Sequence, residues 1–119
     1  MEKFCRNFVD LILDAKLASI HRIVWSEFSS NPSITKSFFL ERPAKTYKIL
    51  SKFISQGQSN QVIQAKTHPD VLADQIISIL KERYYLEFLF GLRKTILKQE
   101  KESLLEDSLT AIKLIMALN

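Results

Sequence analysis

The residues with which this chain could bind a metal ion or act as a nucleophile are two histidines, one cysteine and its acids. His21 and His68 lie far apart, and neither an H-x-x-x-H nor a C-x-x-C spacing occurs, so the sequence predicts no metal site. Cys5 falls on the apolar side of the first predicted helix, where a small core residue is expected rather than a reactive thiolate. Glu106 and Asp107 are adjacent and therefore face different directions. We expect neither catalysis nor a cofactor.

A group of aromatic residues could bind a small molecule. His21, Trp25 and Phe28 recur at the i, i+4 and i+7 positions of a predicted helix and so line one of its sides. Four further aromatic residues could join them in a mostly apolar pocket with a few polar tips, the usual composition of a ligand site: Phe39, Tyr47, Tyr84 and Phe88. Packing in a core is the simpler explanation for any one of these residues, and both explanations stay open.

Basic residues are concentrated in one part of the chain. The net charge is +4, and residues 31–66 hold six basic residues against one acid. Lys45, Lys48 and Lys52 share one helical face with Arg42 near its start, a pattern that could bind phosphate groups. Tyr47 and the later Phe53 are expected to point elsewhere, which favours an ordinary solvated face.

Length and composition indicate one globular domain covering residues 1–119. The chain has 119 residues, of which 46% are hydrophobic and 25% charged, and these values argue against disorder. Asp10, Asp14, Arg83 and Glu87 interrupt every apolar run well before the length of about 18 residues that spans a bilayer. No signal peptide is evident, and a single cysteine fits a reducing compartment, so we expect a cytoplasmic protein without a membrane partner.

The scarcity of turn residues predicts an all-α fold, a bundle of five to six helices packed in orthogonal or antiparallel pairs. Two glycines and three prolines are too few for the hairpins of a β protein, and apolar residues recur at helical spacing instead. Gly57 is the predicted stop of the central helix, and Asn60 in the following loop is the residue expected to take a left-handed conformation. The predicted helices cover approximately residues 4–15, 16–28, a short stretch from 32, 37–56, 69–92 and 102–118.

The segment from Tyr84 to Leu92 is apolar on nearly every side, with Glu87 as the interruption. A helix of that kind must be buried on every side, and a domain this small has little interior to bury it. We therefore expect a homodimer that forms through the last two helices. The interface residues predicted from the pattern are Tyr85, Leu89, Leu105, Leu109, Ile112 and Met116.

The order of several residues resembles the C-terminal effector domain of the tetracycline-repressor (TetR, AcrR-like) family of bacterial transcription regulators. The likeness is best over residues 16–92, and His68 and Asn60 depart from it, since an acid and a glycine are common at those places. The matching residues are Glu27, Pro32, Phe38, Phe39, Pro43, Ala44, Leu50, Phe53, Pro69, Asp70 and Ala73.

This resemblance implies a homodimeric domain that binds a small apolar or amphipathic effector between helices two, three and four. Binding would change the DNA affinity of an amino-terminal helix-turn-helix headpiece, whose pattern these residues do not contain, so DNA would be contacted only through that headpiece. The alternative, from another class, is a helical interaction or structural module whose aromatic residues are simply core.

Overall fold

In the part of the chain that the computed structural model describes, five helices form and no strand occurs. The described residues are 1–14, 20, 22–23, 26, 30 and 32–117, with the backbone alone for 32 and 34–44. The all-α prediction is confirmed. The helices are α1 (Glu2–Ile12), α2 (Pro32–Ser59), α3 (Pro69–Glu82), α4 (Tyr85–Leu89) and α5 (Lys98–Ala117).

The first half of the chain follows the predicted helices only in part. Residues 20, 22–23 and 26 have helical backbone, as the predicted second helix requires, while most of its other residues lie outside the described part. α2 is one continuous helix of 28 residues, where the sequence predicted a short helix followed by a longer one. It continues through Pro43, which has no N–H to donate to the carbonyl of Phe39.

The end of α2 lies beyond the predicted stop at Gly57. Val62 N–H donates to the Gly57 carbonyl over 2.9 Å and Gln61 N–H to that of Gln58 over 3.1 Å, the paired hydrogen bonds of a Schellman motif. The residue with positive φ (61°) is Gln61 and not Asn60. The prediction of Asn60 was wrong, because the hydrogen bonds that end α2, and not the type of residue, determine which residue takes positive φ.

The predicted helix over residues 69–92 is two helices. α3 ends at Glu82, and α4 begins after Tyr84, whose φ of −122° is not helical. This break lets both segments turn an apolar side towards the same core, with Phe88 and Leu89 buried from α4. The buried side chains of α3 are Leu72, Ala73, Ile76, Ile77 and Leu80.

α3 lies at the centre of the bundle and packs against each of the other four helices. One cluster of buried apolar side chains surrounds it, and the largest fully buried members outside α3 come from all four neighbours. They are Val9, Leu50, Ile54, Phe88, Leu104, Leu105 and Ile112.

Ion pairs join α1 to α5 along the edge of this core. Arg6 donates two hydrogen bonds to the Glu102 carboxylate, over 2.6 and 3.1 Å, and Lys101 pairs with Asp10. The hydrogen bond from Arg6 holds the pKa of Glu102 below its usual range. These pairs are partly exposed, so each contributes little to the free energy of folding. Their complementary charges mainly favour the observed pairing of α1 with α5.

We expect Gln61→Gly to stabilise the protein by about 0.5–1 kcal/mol, because glycine adopts positive φ without the steric cost that glutamine bears. Urea unfolding followed by circular dichroism measures this change. Ser59→Gly, two residues earlier and helical, is the matched control and should cost about as much as the first substitution gains. Destabilisation by Gln61→Gly would contradict the assigned helix end.

Candidate functional site

Three of the seven residues predicted to line a ligand pocket have described side chains. Phe88 is 2% exposed and belongs to the core cluster, and Tyr47 and Tyr84 are partly buried and pack against that cluster. The structure thus brings these three to one body of apolar side chains. His21, Trp25 and Phe28, and the side chain of Phe39, lie outside the described part of the chain, so the complete pocket stays a prediction.

The phenols of Tyr47 and Tyr84 have different surroundings. Burial, and to a smaller extent the charge of Asp74 on α3, raises the pKa of Tyr47, so its hydroxyl stays protonated at neutral pH. The Tyr84 ring lies beneath the guanidinium of Arg93, with the guanidinium carbon 5.0 Å from the ring centroid. Both rings pack against the apolar core.

Arg22 ties the second helical segment to the end of α4. Its Nη1 donates to the carbonyls of Phe88 and Leu89, both over 3.2 Å. These carbonyls belong to the last turn of α4, where a cation is favoured by the helix dipole. Gly91 follows with a φ of 73°, and the two N–H groups of Gly91 and Leu92 close a second Schellman motif on Phe88 and Glu87.

A second arginine organises the turn between α4 and α5. Arg93 donates to Glu87 over 3.0 Å and to both oxygens of Glu100 over 2.9 and 3.1 Å, while Glu100 also accepts the N–H of Leu97. We call Tyr84, Glu87, Arg93 and Glu100 the Arg93 cluster. Sequence reasoning recognised Glu87 only as an interruption of an apolar segment. The short separation of Glu87 and Arg93 in the sequence, with Gly91 between them, is the feature from which this ion pair could have been predicted.

The predicted interface residues divide into two groups. Leu89, Leu105 and Ile112 are at most 2% exposed within this single chain, so their side chains serve its own core in this arrangement. Tyr85, Leu109 and Met116 are partly buried and pack against that core.

The apolar surface that remains in this region lies on the other side of α4 and in the turn after it. Leu86, Phe90 and Leu92 are 51%, 61% and 81% exposed, and Leu97 at the start of α5 is similarly open. We call these four residues the α4 outer surface. The segment is apolar on both sides, as the sequence indicated. None of the four residues of the α4 outer surface is among the interface residues predicted from the sequence.

The basic face of α2 is exposed and carries apolar residues as well. Lys45, Lys48 and Lys52 are exposed, and none forms a salt bridge within the described part of the chain. Ile49 and Phe53, 66% and 48% exposed, lie between and beside them. Leu50 and Ile54 occupy the inward positions of α2, and Phe53 borders a cleft that none of these three lysines lines.

An open cleft of about 570 Å³ lies where the ends of α2 and α5 meet the loop after α2. Phe53 from α2, Val62 and Ile63 from the loop, and Lys113 and Met116 from α5 are among its lining residues. No residue of the predicted aromatic pocket lines it, so the cleft is a separate feature. Sequence reasoning missed it because residues distant in the chain form it.

The described part of the chain is all-helical, and a comparison with protein families identifies its class. A family model described as "AefR-like transcriptional repressor, C-terminal domain" matches residues 1–115, nearly the whole chain. The protein belongs to this family of TetR-type C-terminal domains, which confirms the resemblance stated from its sequence. Comparisons with curated proteins and with solved structures find no match. No described helix combines the length and the apolar character needed to cross a bilayer.

We expect acid to weaken the Arg93 cluster. The N–H of Leu97 and the charge of Arg93 hold the pKa of Glu100 below its usual range. A depressed pKa in the folded state means that this stabilisation is complete above the unfolded-state pKa of about 4.3 and is lost as the pH falls through the folded-state value. Urea unfolding of the wild type and of Glu100→Gln should therefore differ most at about pH 6 and converge near pH 3.

Glu106→Gln is the matched control for this measurement, because Glu106 is exposed and its carboxylate forms no ion pair with the described residues. It should change stability little at either pH. An equal effect of the two substitutions across the pH range would show that the Arg93 cluster makes no special contribution.

Proposed function

We propose that residues 1–119 form one effector-binding and dimerisation domain of a cytoplasmic TetR-type transcriptional regulator, without catalytic activity of its own. The family match over residues 1–115 carries this proposal. A small apolar or amphipathic effector would bind here and change the DNA affinity of a helix-turn-helix headpiece that these residues do not include.

The effector site in this proposal is the predicted aromatic pocket. Tyr47 and Tyr84 are half-buried and pack against the same core cluster that contains Phe88, which supports the proposal, because phenol groups at an apolar wall suit a ligand with few polar atoms. His21, Trp25, Phe28 and Phe39 would complete the lining.

The structure suggests how such a ligand would act on the dimer. Arg22 holds the last carbonyls of α4, so a shift of the second helical segment would pull on that helix. α4 carries Phe88 on its inner side, and the exposed Phe90 follows at its end. A ligand that binds one position of the segment better would thereby favour one arrangement of the subunits.

The dimer interface in this proposal is centred on the α4 outer surface. Leu86, Phe90 and Leu92 present adjacent apolar side chains on a short segment, and a second copy would cover them symmetrically. Tyr85, Leu109 and Met116, which are partly buried, are the predicted interface residues that could still contribute at its border.

A second candidate function is a helical interaction module without a ligand. One observation favours it: Phe88 is 2% exposed and packed in the core. In that case the aromatic residues only stabilise the bundle, and the α4 outer surface would bind a different protein.

Screening apolar and aromatic compounds by thermal unfolding separates these two functions. A true effector at 100 times its Kd stabilises the fold by about 2.7 kcal/mol, and it should also change the fluorescence of Trp25, the single tryptophan. Tyr47→Ala should weaken binding about tenfold, whereas Leu114→Ala, outside the proposed pocket, should leave it unchanged. Failure of every compound class to raise the melting temperature would support the interaction module.

Sedimentation velocity at micromolar concentration tests the interface. We expect the wild type to be a dimer and Phe90→Glu to be a monomer, because two charges would face each other across an apolar contact. Ile49→Glu introduces the same charge at a comparably exposed position on α2 and should remain a dimer. A monomeric wild type, or equal dissociation of both variants, would refute the assigned surface.

A further inference from the structure

The cleft between the ends of α2 and α5 has the composition of a ligand site. Its volume of about 570 Å³ lies within the range of about 300–1,000 Å³ found for small-molecule sites. One part of its lining is apolar, and the side chains of Phe53 and Val62 there are 48% and 79% exposed. These are large apolar groups that gain from being covered.

The polar side chains of the lining are three amides and one lysine, and none of them has a hydrogen-bond or ion-pair partner among the described residues. The side-chain amides of Gln56, Asn60 and Gln64 form no hydrogen bond with the described residues. Lys113 is the single lining residue with a charged side chain, no acidic side chain lines the cleft, and Lys113 forms no ion pair within the described part of the chain. The side chains of the lining therefore carry one positive charge beside amide groups that can also donate hydrogen bonds.

We propose that this cleft binds an amphipathic carboxylate: a molecule with one carboxylate and an apolar body about the size of a ten-carbon chain. Lys113 and the amides would hold the carboxylate, and Phe53, Val62 and Met116 would cover the hydrocarbon. A single lysine matches the single charge of a carboxylate. This site shares no residue with the aromatic pocket and stands whether or not that pocket binds an effector.

Hydrogen bonds form the cleft before any ligand enters. The amide of Gln58 donates to the carbonyls of Ala65 and Thr67 over 2.9 and 2.8 Å, and Ala65 N–H donates to the Met116 carbonyl over 2.8 Å. The loop is thereby attached both to α2 and to the last turns of α5. A preformed wall reduces the ordering cost of binding.

Decanoate, used below its micellar concentration with the ¹⁵N-labelled chain, tests the proposal by two-dimensional NMR. Decanoate should shift the side-chain amide resonances of Gln56, Asn60 and Gln64 in a saturable manner. Lys113→Gln should weaken this binding about tenfold, which is the effect of losing one charge-assisted hydrogen bond. Ala117→Phe, which places a ring at the edge of the cleft, should abolish it.

Lys94→Gln is the matched control, because Lys94 is exposed, does not line the cleft and forms no ion pair with described residues. It should bind decanoate as the wild type does. Decyltrimethylammonium, with the same chain and the opposite charge, should bind far more weakly. The proposal is overturned by unmoved amide resonances, by equal losses in Lys113→Gln and Lys94→Gln, or by equally tight binding of the cation.

Discussion

The burial of α3 is the constraint on which the rest of this structure depends. Leu72, Ile76 and Leu80 lie along a helix that touches each of the other four, so the remaining helices take their places by covering it. Burying an aliphatic side chain contributes about 1.5–3 kcal/mol, well above the worth of an exposed ion pair. The burial of apolar side chains therefore determines how the helices pack. Polar contacts at the edge, such as that between Arg6 and Glu102, make a smaller contribution to the same arrangement.

α4 receives its orientation from this packing and its position from two arginines. The core takes Phe88, while Arg22 holds the carbonyl end of the helix and Arg93 holds Glu87 and the turn that follows. A five-residue helix has little stability of its own, because helix nucleation is costly. Its position therefore depends on the contacts that its neighbours make with it.

Much of the fold was predictable because it rests on local patterns. Two glycines, three prolines and helical apolar spacing indicated an all-α domain, and the order of residues such as Pro32, Pro43 and Pro69 indicated the family that the comparison then confirmed. The excess apolar character after Tyr84 was also correctly recognised. Leu89, predicted at a dimer interface, is 1% exposed in the single chain, and periodicity shows that a helix has two apolar sides but not which side meets the core.

Composition and spacing by themselves determined the helical class, because it follows from backbone preferences and near-neighbour side chains, and the resemblance in residue order indicated the family. Tertiary structure alone decided the break at Tyr84, the left-handed residue at Gln61, the cluster around Arg93 and the cleft beside Lys113. Gln61 and the Arg93 cluster take their geometry from hydrogen bonds between residues three to seven positions apart. The break and the cleft depend on which distant segments pack together. That arrangement is set by the burial of apolar surface summed over the whole chain, which no short window of sequence contains.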